Sequence, residues 1–196
     1  MSNRHLLIAG AAILPLLLTS CGSGTTAMFR GDPTRSASIS DAGPTTLDTL
    51  KWKFSAPDKV YSSPVAGDKE IYLGANDGYL YAVNADTGIL NWKFQTEGNV
   101  ESTPALVDGV LYVGSWDNSL YAIDTENHGT KWKFPTKGPV SSSPVVVDDV
   151  VYFGSEDGHV YAVEAETGYE KWSFDAKGGV YSSPALYGDH VFFGTM

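Results

Sequence analysis

Residues 154–172, GSEDGHVYAVEAETGYEKW, hold five carboxylates (Glu156, Asp157, Glu164, Glu166, Glu170) and His159 within nineteen positions. Residues of these types at this density suit two chemistries. Oxygen donors at alternating positions that close on a glutamate would make a calcium loop. A carboxylate beside a histidine would make an acid/base pair. The calcium pattern is absent, because the alternating donors and terminal Glu do not occur here. Asp157 and Glu166 instead recur 40 residues earlier as Asp117 and Glu126, and 80 earlier as Asp77 and Asp86. Residues that return in every copy of a unit serve the unit, and a turn role is expected for them. The remaining histidines, His5, His128 and His190, lack metal spacing. No Ser/His/Asp set or phosphate-cradling glycine loop stands out.

The elements that position these residues form a repeat. Trp52, Trp92, Trp132 and Trp172 lie 40 apart, in KWKF, NWKF, KWKF and KWSF. YSSP (61–64), ESTP (101–104), SSSP (141–144) and YSSP (181–184) keep that spacing, as do Gly74, Gly114, Gly154 and Gly194 after apolar triplets. Each segment within a unit is short and rich in Val, Tyr, Phe and Trp between turn residues, which predicts strands. Asp108-Gly109 and its equivalents separate the first strand from the second. Asp77-Gly78 and Asp157-Gly158 separate the second from the third, as a tight hairpin in which both central residues take positive φ. NADTG (84–88) and EAETG (164–168) lead into the tryptophan strand. Runs such as VVYF and IYL are apolar on consecutive positions, which predicts sheets covered on both faces. Four antiparallel strands in about 40 residues make one propeller blade. The expected fold is therefore all-β, a β-propeller of four-stranded antiparallel blades forming an incomplete ring of about 3.5–4 blades over residues 50–196.

YAVNADTGILNW (81–92) and YAVEAETGYEKW (161–172) resemble the tryptophan-docking motif of the PQQ-type β-propeller family, with Ala first, Gly seventh and Trp eleventh. The pattern maps onto Ala82, Gly88 and Trp92, and onto Ala162, Gly168 and Trp172. The middle copy keeps Ala122 and Trp132 but has His128 where Gly is expected, so its turn must differ. The resemblance implies that each indole docks on the adjacent blade against the Ala and the Gly peptide. A docked ring would remove about 200 Å² from water, a few kcal/mol per junction at about 25 cal/mol/Å².

Upstream, Arg4 and the apolar run 6–18 suit a signal peptide over 1–20. Leu18-Thr19-Ser20-Cys21 resembles a bacterial lipobox, which makes Cys21, the sole cysteine, the expected lipidation site. Residues 21–49 would then form a linker and lead-in segment, MFRGDPTRSA (28–37) resembling that of lipid-anchored members. With 13 basic and 23 acidic residues the net charge is −10. Such a surface repels nucleic acid and anionic headgroups, so membrane attachment is expected through acyl chains.

The combination of lipobox, short linker and PQQ-like blades resembles the BamB-type lipoproteins, which support insertion of β-barrels into the outer membrane. That resemblance implies a non-enzymatic, lipid-anchored binding scaffold of the cell envelope with a protein partner, on the periplasmic face of the outer membrane and without a cofactor. Two alternatives stay open. The chain could be part of a PQQ-dependent dehydrogenase, with quinone and calcium at the propeller centre, although the paired cysteines of that group are absent. It could also be an envelope sensor or polymer-binding propeller. For the latter, Trp116 is the candidate ligand contact, being the only tryptophan out of phase with the repeat; packing on its own loop is the other reading. An open ring is accounted for either by a longer protein or by two copies that close one ring.

Overall fold

The computed structural model describes residues 50–196, and the readings for residues 1–49, including Cys21, lie outside them. Fourteen strands and no helix are found among the described residues. The first unit comprises β1 (Val65–Ala66), β2 (Glu70–Gly74), β3 (Tyr79–Asn84) and β4 (Leu90–Gln95). The second comprises β5 (Ala105–Val107), β6 (Val110–Ser115), β7 (Ser119–Asp124) and β8 (Thr130–Pro135). The third comprises β9 (Val145–Val147), β10 (Val150–Gly154), β11 (His159–Glu164) and β12 (Glu170–Asp175). β13 (Ala185–Tyr187) and β14 (His190–Phe192) pair as a separate two-stranded sheet. Each four-stranded sheet is an antiparallel meander with neighbours in chain order. The sheets do not close on one another, so the architecture is a partial β-propeller with open ends.

Strands β6 and β7 are buried at nearly every position, which is the burial that consecutive apolar residues demand when both faces are covered. Two apolar clusters fill the spaces between sheets. One joins Leu80 and Val100 to Leu111 and Ile123, and the other joins Leu120 and Val140 to Val151 and Phe153. By contrast the third unit's outer strand, β12, is exposed along its whole length.

The recurring glycines mark close approaches. A Cβ on Gly74, Gly114 or Gly154 would lie 2.4, 2.3 and 2.3 Å from atoms of Val100, Val140 and Val180, which lead into the following unit. No side chain fits there. Ser62 and Ser142 also clamp the first and third of these glycines, accepting from the peptide N–H at 2.7 and 2.8 Å and donating to the carbonyl at 3.2 and 2.8 Å.

Two local expectations need correction. Asp77-Gly78 does not form a two-residue hairpin with positive φ at both positions. Only Gly78 has φ > 0. Asn76, Asp77 and Gly78 form a three-residue connection closed by Gly78 N–H to Ala75 O at 3.2 Å and Ala75 N–H to Tyr79 O at 3.0 Å. The turn with two positive φ values occurs between first and second strands instead, at Asp108-Gly109 (48° and 75°) and Asp148-Asp149 (48° and 59°). KWKF (51–54), read as an outer strand, belongs to no ladder, because no third strand lies beside it among the described residues; Trp52 is nonetheless placed against the first unit.

Candidate functional site

The four in-phase tryptophans fall into three environments. Trp52 lies over Gly88, where an added Cβ would sit 2.6 Å from the indole, and its Nε1–H donates to Ala85 O at 2.9 Å. Trp132 meets Gly168 in the same way, at 2.7 Å, and donates to Ala165 O at 2.9 Å. Both glycines have positive φ, which brings the bare peptide up to the ring. Trp92 instead faces His128, whose ring stacks on it at 4.6 Å between centroids and 18° between planes. His128 holds the glycine's backbone conformation, with φ of 61°, so the turn survives while its surface changes. Trp172 faces only the two-stranded sheet β13–β14, sharing a cavity with Val191 and Phe193 and meeting no equivalent turn among the described residues, and is 40% exposed. Ala82, Ala122 and Ala162 are fully buried and pair in register with Trp92, Trp132 and Trp172 of their own sheets, each followed by a bulge.

The carboxylates raised by residues 154–172 are occupied by the fold. Asp157 accepts from the backbone N–H of Lys137 and His159 at 2.9 and 3.0 Å and from the Tyr161 hydroxyl at 2.8 Å. Burial alone would raise its pKa, but these hydrogen bonds outweigh burial and hold the carboxyl below its ordinary value. Asp77 and Asp117 accept from Tyr81 and Tyr121 in the same way, and those phenols are pushed up, first by burial and then by the aspartate. Glu164 accepts from Thr167 Oγ1 within its own turn, and Glu166 pairs with Lys131 at 3.2 Å. Each of these groups is spent on a turn or on the neighbouring unit.

One feature was not assigned from sequence. Ser63 N–H donates to Thr103 Oγ1 at 2.9 Å, Thr103 N–H to Ser143 Oγ at 3.1 Å, and Ser143 N–H to Ser183 Oγ at 2.9 Å. This hydroxyl ladder steps from unit to unit beside the innermost strands. Its signal was the strict recurrence of Ser or Thr before proline, but the acceptor lies 40 residues away, beyond any local pattern.

Trp116 lies between β6 and β7 and is 43% exposed. Its backbone N–H donates to Asn99 O at 2.9 Å, as those of Asn76 and Glu156 do to Lys59 O and Pro139 O. The loop therefore docks like its equivalents, while the indole faces outward with no ring partner among the described residues. Asp117 beside it is nearly inaccessible, its side chain 4% exposed, yet its Oδ1 lacks a hydrogen-bond donor. In the other units that oxygen accepts from the N–H of Tyr79 or His159; here the β6–β7 ladder runs one pair further and takes Ser119 into it.

The profile of the family described as outer membrane protein assembly factor BamB matches residues 45–105 and 97–196. The chain belongs to this family. Among solved structures, BamB from Moraxella catarrhalis superposes with a TM-score of 0.67 at 17% identity, over 88% of this chain and 52% of that one. A quinohemoprotein alcohol dehydrogenase from Pseudomonas putida HK5 gives 0.62 at 23% identity, over 74% of this chain and 29% of its own. The computationally designed protein Ika4 gives 0.65 at 14% identity, over 72% and 88%. At these identities the superpositions show the fold alone. The chain spans about half the length of the BamB structure that it matches. No curated protein sequence matches it.

Proposed function

We propose that this chain is a non-enzymatic binding scaffold of the bacterial cell envelope, anchored by lipid at Cys21 and engaged with the outer-membrane β-barrel assembly machinery. The observation that carries this reading is the family match across 45–196. The chemistry of the described residues is consistent with it, because the repeated carboxylates are consumed by turns and unit contacts. The lipobox supports the anchor, and the acidic balance favours a protein partner over nucleic acid. The test is affinity purification of the full chain from envelopes. Co-recovery of a β-barrel insertase supports the reading, and clean preparations without one overturn it. Mass measurement of the mature N-terminus reads the anchor separately, since a chain starting at unmodified Cys21 removes it.

The likeness to a quinohemoprotein dehydrogenase favours a second reading, in which the propeller holds quinone and calcium. The described residues do not fit the calcium. Among the described residues, no group of three or more His, Cys, Asp and Glu side chains could hold a metal ion. No step is assigned through either group. Dye-linked alcohol oxidation after addition of quinone and calcium would reinstate this reading.

A further inference from the structure

One end of the propeller presents aromatic rings interleaved with carboxylates near the innermost strands. Each connection from an outer strand to the next inner strand brings one residue to this end, at positions 61, 101, 141 and 181: Tyr61, Glu101, Ser141 and Tyr181. The turns between second and third strands insert Asn76, Trp116 and Glu156 between them. Asn76 Nδ2 donates to Glu101 Oε1 at 3.0 Å, and Ser141 Oγ donates to Glu156 Oε1 at 2.6 Å. Because all three turns dock through the same backbone hydrogen bond, Trp116 takes the place between Glu101 and Ser141. Tyr61 is 62% exposed and Tyr181 44%. Neither Glu101 nor Glu156 is paired with a cation among the described residues. Of the lysines in the same connections, Lys137 and Lys177 lie two residues beyond the outermost strands, Lys177 held by Asp175, and Lys59 lies two residues before Tyr61.

We propose that this arc, centred on Trp116, is a docking site for an extended basic peptide segment of a partner protein. Exposed aromatic faces and carboxylates attract the same group, because a lysine or arginine gains from a ring face and from a carboxylate together. The same turn departs from the repeat inside as well, although Asp117 Oδ2 is held by Glu97 N–H, Tyr121 and Lys133. Asp117, next to Trp116, keeps an oxygen without a donor in nearly complete burial, and the other two units satisfy the equivalent atom. The repeat is broken in one turn by an outward indole set between Glu101 and Ser141, and a lysine or arginine is the partner that answers ring and carboxylate together. This deepens the scaffold reading by naming the chemistry of its partner, and rests on that reading.

The test is calorimetric titration of the full chain with acetyl-(Lys-Gly)3-Lys-amide and with its glutamate counterpart, at about 0.15 M salt so that diffuse attraction to an acidic protein is screened. The lysine peptide binds and the glutamate peptide does not. Trp116→Ala weakens binding about tenfold or more, as expected for an aromatic anchor, and Glu101→Gln weakens it roughly threefold. Trp116→Phe keeps most of the affinity, which separates a ring-face role from a folding defect. Tyr187→Ala, exposed elsewhere, leaves it unchanged. No binding, equal binding by Trp116→Ala, or equal affinity for spermine would each overturn the peptide site. If insertase co-recovery persists while the peptide fails, only this inference falls.

Discussion

The junction between the first and second units differs from that between the second and third. At the latter, Trp132 and Tyr112 both donate across the seam to Ala165 O, at 2.9 and 3.2 Å, and Lys131 pairs with Glu166. At the former, the equivalent Trp92 and Tyr72 both turn back to Glu70 Oε2 of their own sheet, at 3.2 and 2.8 Å. Asn91 stands where Lys131 would be, and it too donates to Glu70, at 2.7 Å. Glu70 occupies the position of Val110 and Val150. A single carboxylate has drawn three donors away from the seam, and His128 covers the indole that a glycine peptide would otherwise meet. What still crosses includes the stacked ring, the apolar core, the Phe94–Tyr121 edge contact, one rung of the hydroxyl ladder and the hydrogen bonds Asn76–Glu101 and Glu97–Asp117. The lesson is that an indole in phase with a repeat does not ensure the same junction. Its partner and its competitor decide which side it serves.

The largest test of this contrast is deletion of the two rings. Trp132→Ala should cost about 3 kcal/mol in urea unfolding, through lost burial and a broken seam hydrogen bond. Trp92→Ala should cost clearly less, because its hydrogen bond never crossed the seam. Equal losses would break the comparison. Gly168→Ala comes next, at about 2 kcal/mol, since its Cβ would strike the Trp132 ring from a backbone already at positive φ.

The smaller predictions sharpen the comparison by converting one seam into the other. Glu70→Val combined with His128→Gly should free Trp92 and Tyr72 to reach Thr125 O. Relief of a non-glycine residue at positive φ adds about 1 kcal/mol, and the indole Nε1–H resonance of Trp92 should move toward that of Trp132. An unmoved resonance would show that Glu70 is not the competitor.

The smallest effect expected is acid sensitivity at the regular seam. Asp157 is held below its ordinary value, so its contribution is complete above the ordinary carboxylate pKa near ~4 and is lost as pH falls through the lowered value. Asp157→Asn should remove that part of the acid-induced loss and leave the profile above about pH 5 parallel to the parent. A parallel profile below pH 4 would deny the carboxylate this role.

The fold was legible because its signals lie within single residues: indoles, glycines and turn dipeptides recurring every 40 positions. The failed hairpin assignment at Asp77-Gly78 shows the limit of dipeptide reading. The same two residues close a three-residue turn when the preceding peptide supplies the first bend, and loop length is not written in the pair. His128 announced a local change, but Glu70 did not. Its influence depends on which side chains of β2 and β4 reach one another, and on the donors that Tyr72, Asn91 and Trp92 direct at one carboxylate. Trp116 could be singled out by its phase alone, whereas the orphaned oxygen of Asp117 depends on one extra rung of a ladder.

Hydrogen exchange of the five indole Nε1–H groups, followed by NMR on the intact chain, tests most directly whether indoles lock one sheet to the next. Trp52 and Trp132 should exchange slowest, Trp92 faster, and Trp116 and Trp172 at rates near those of free indole. Exchange of Trp132 as fast as Trp172 would contradict the account.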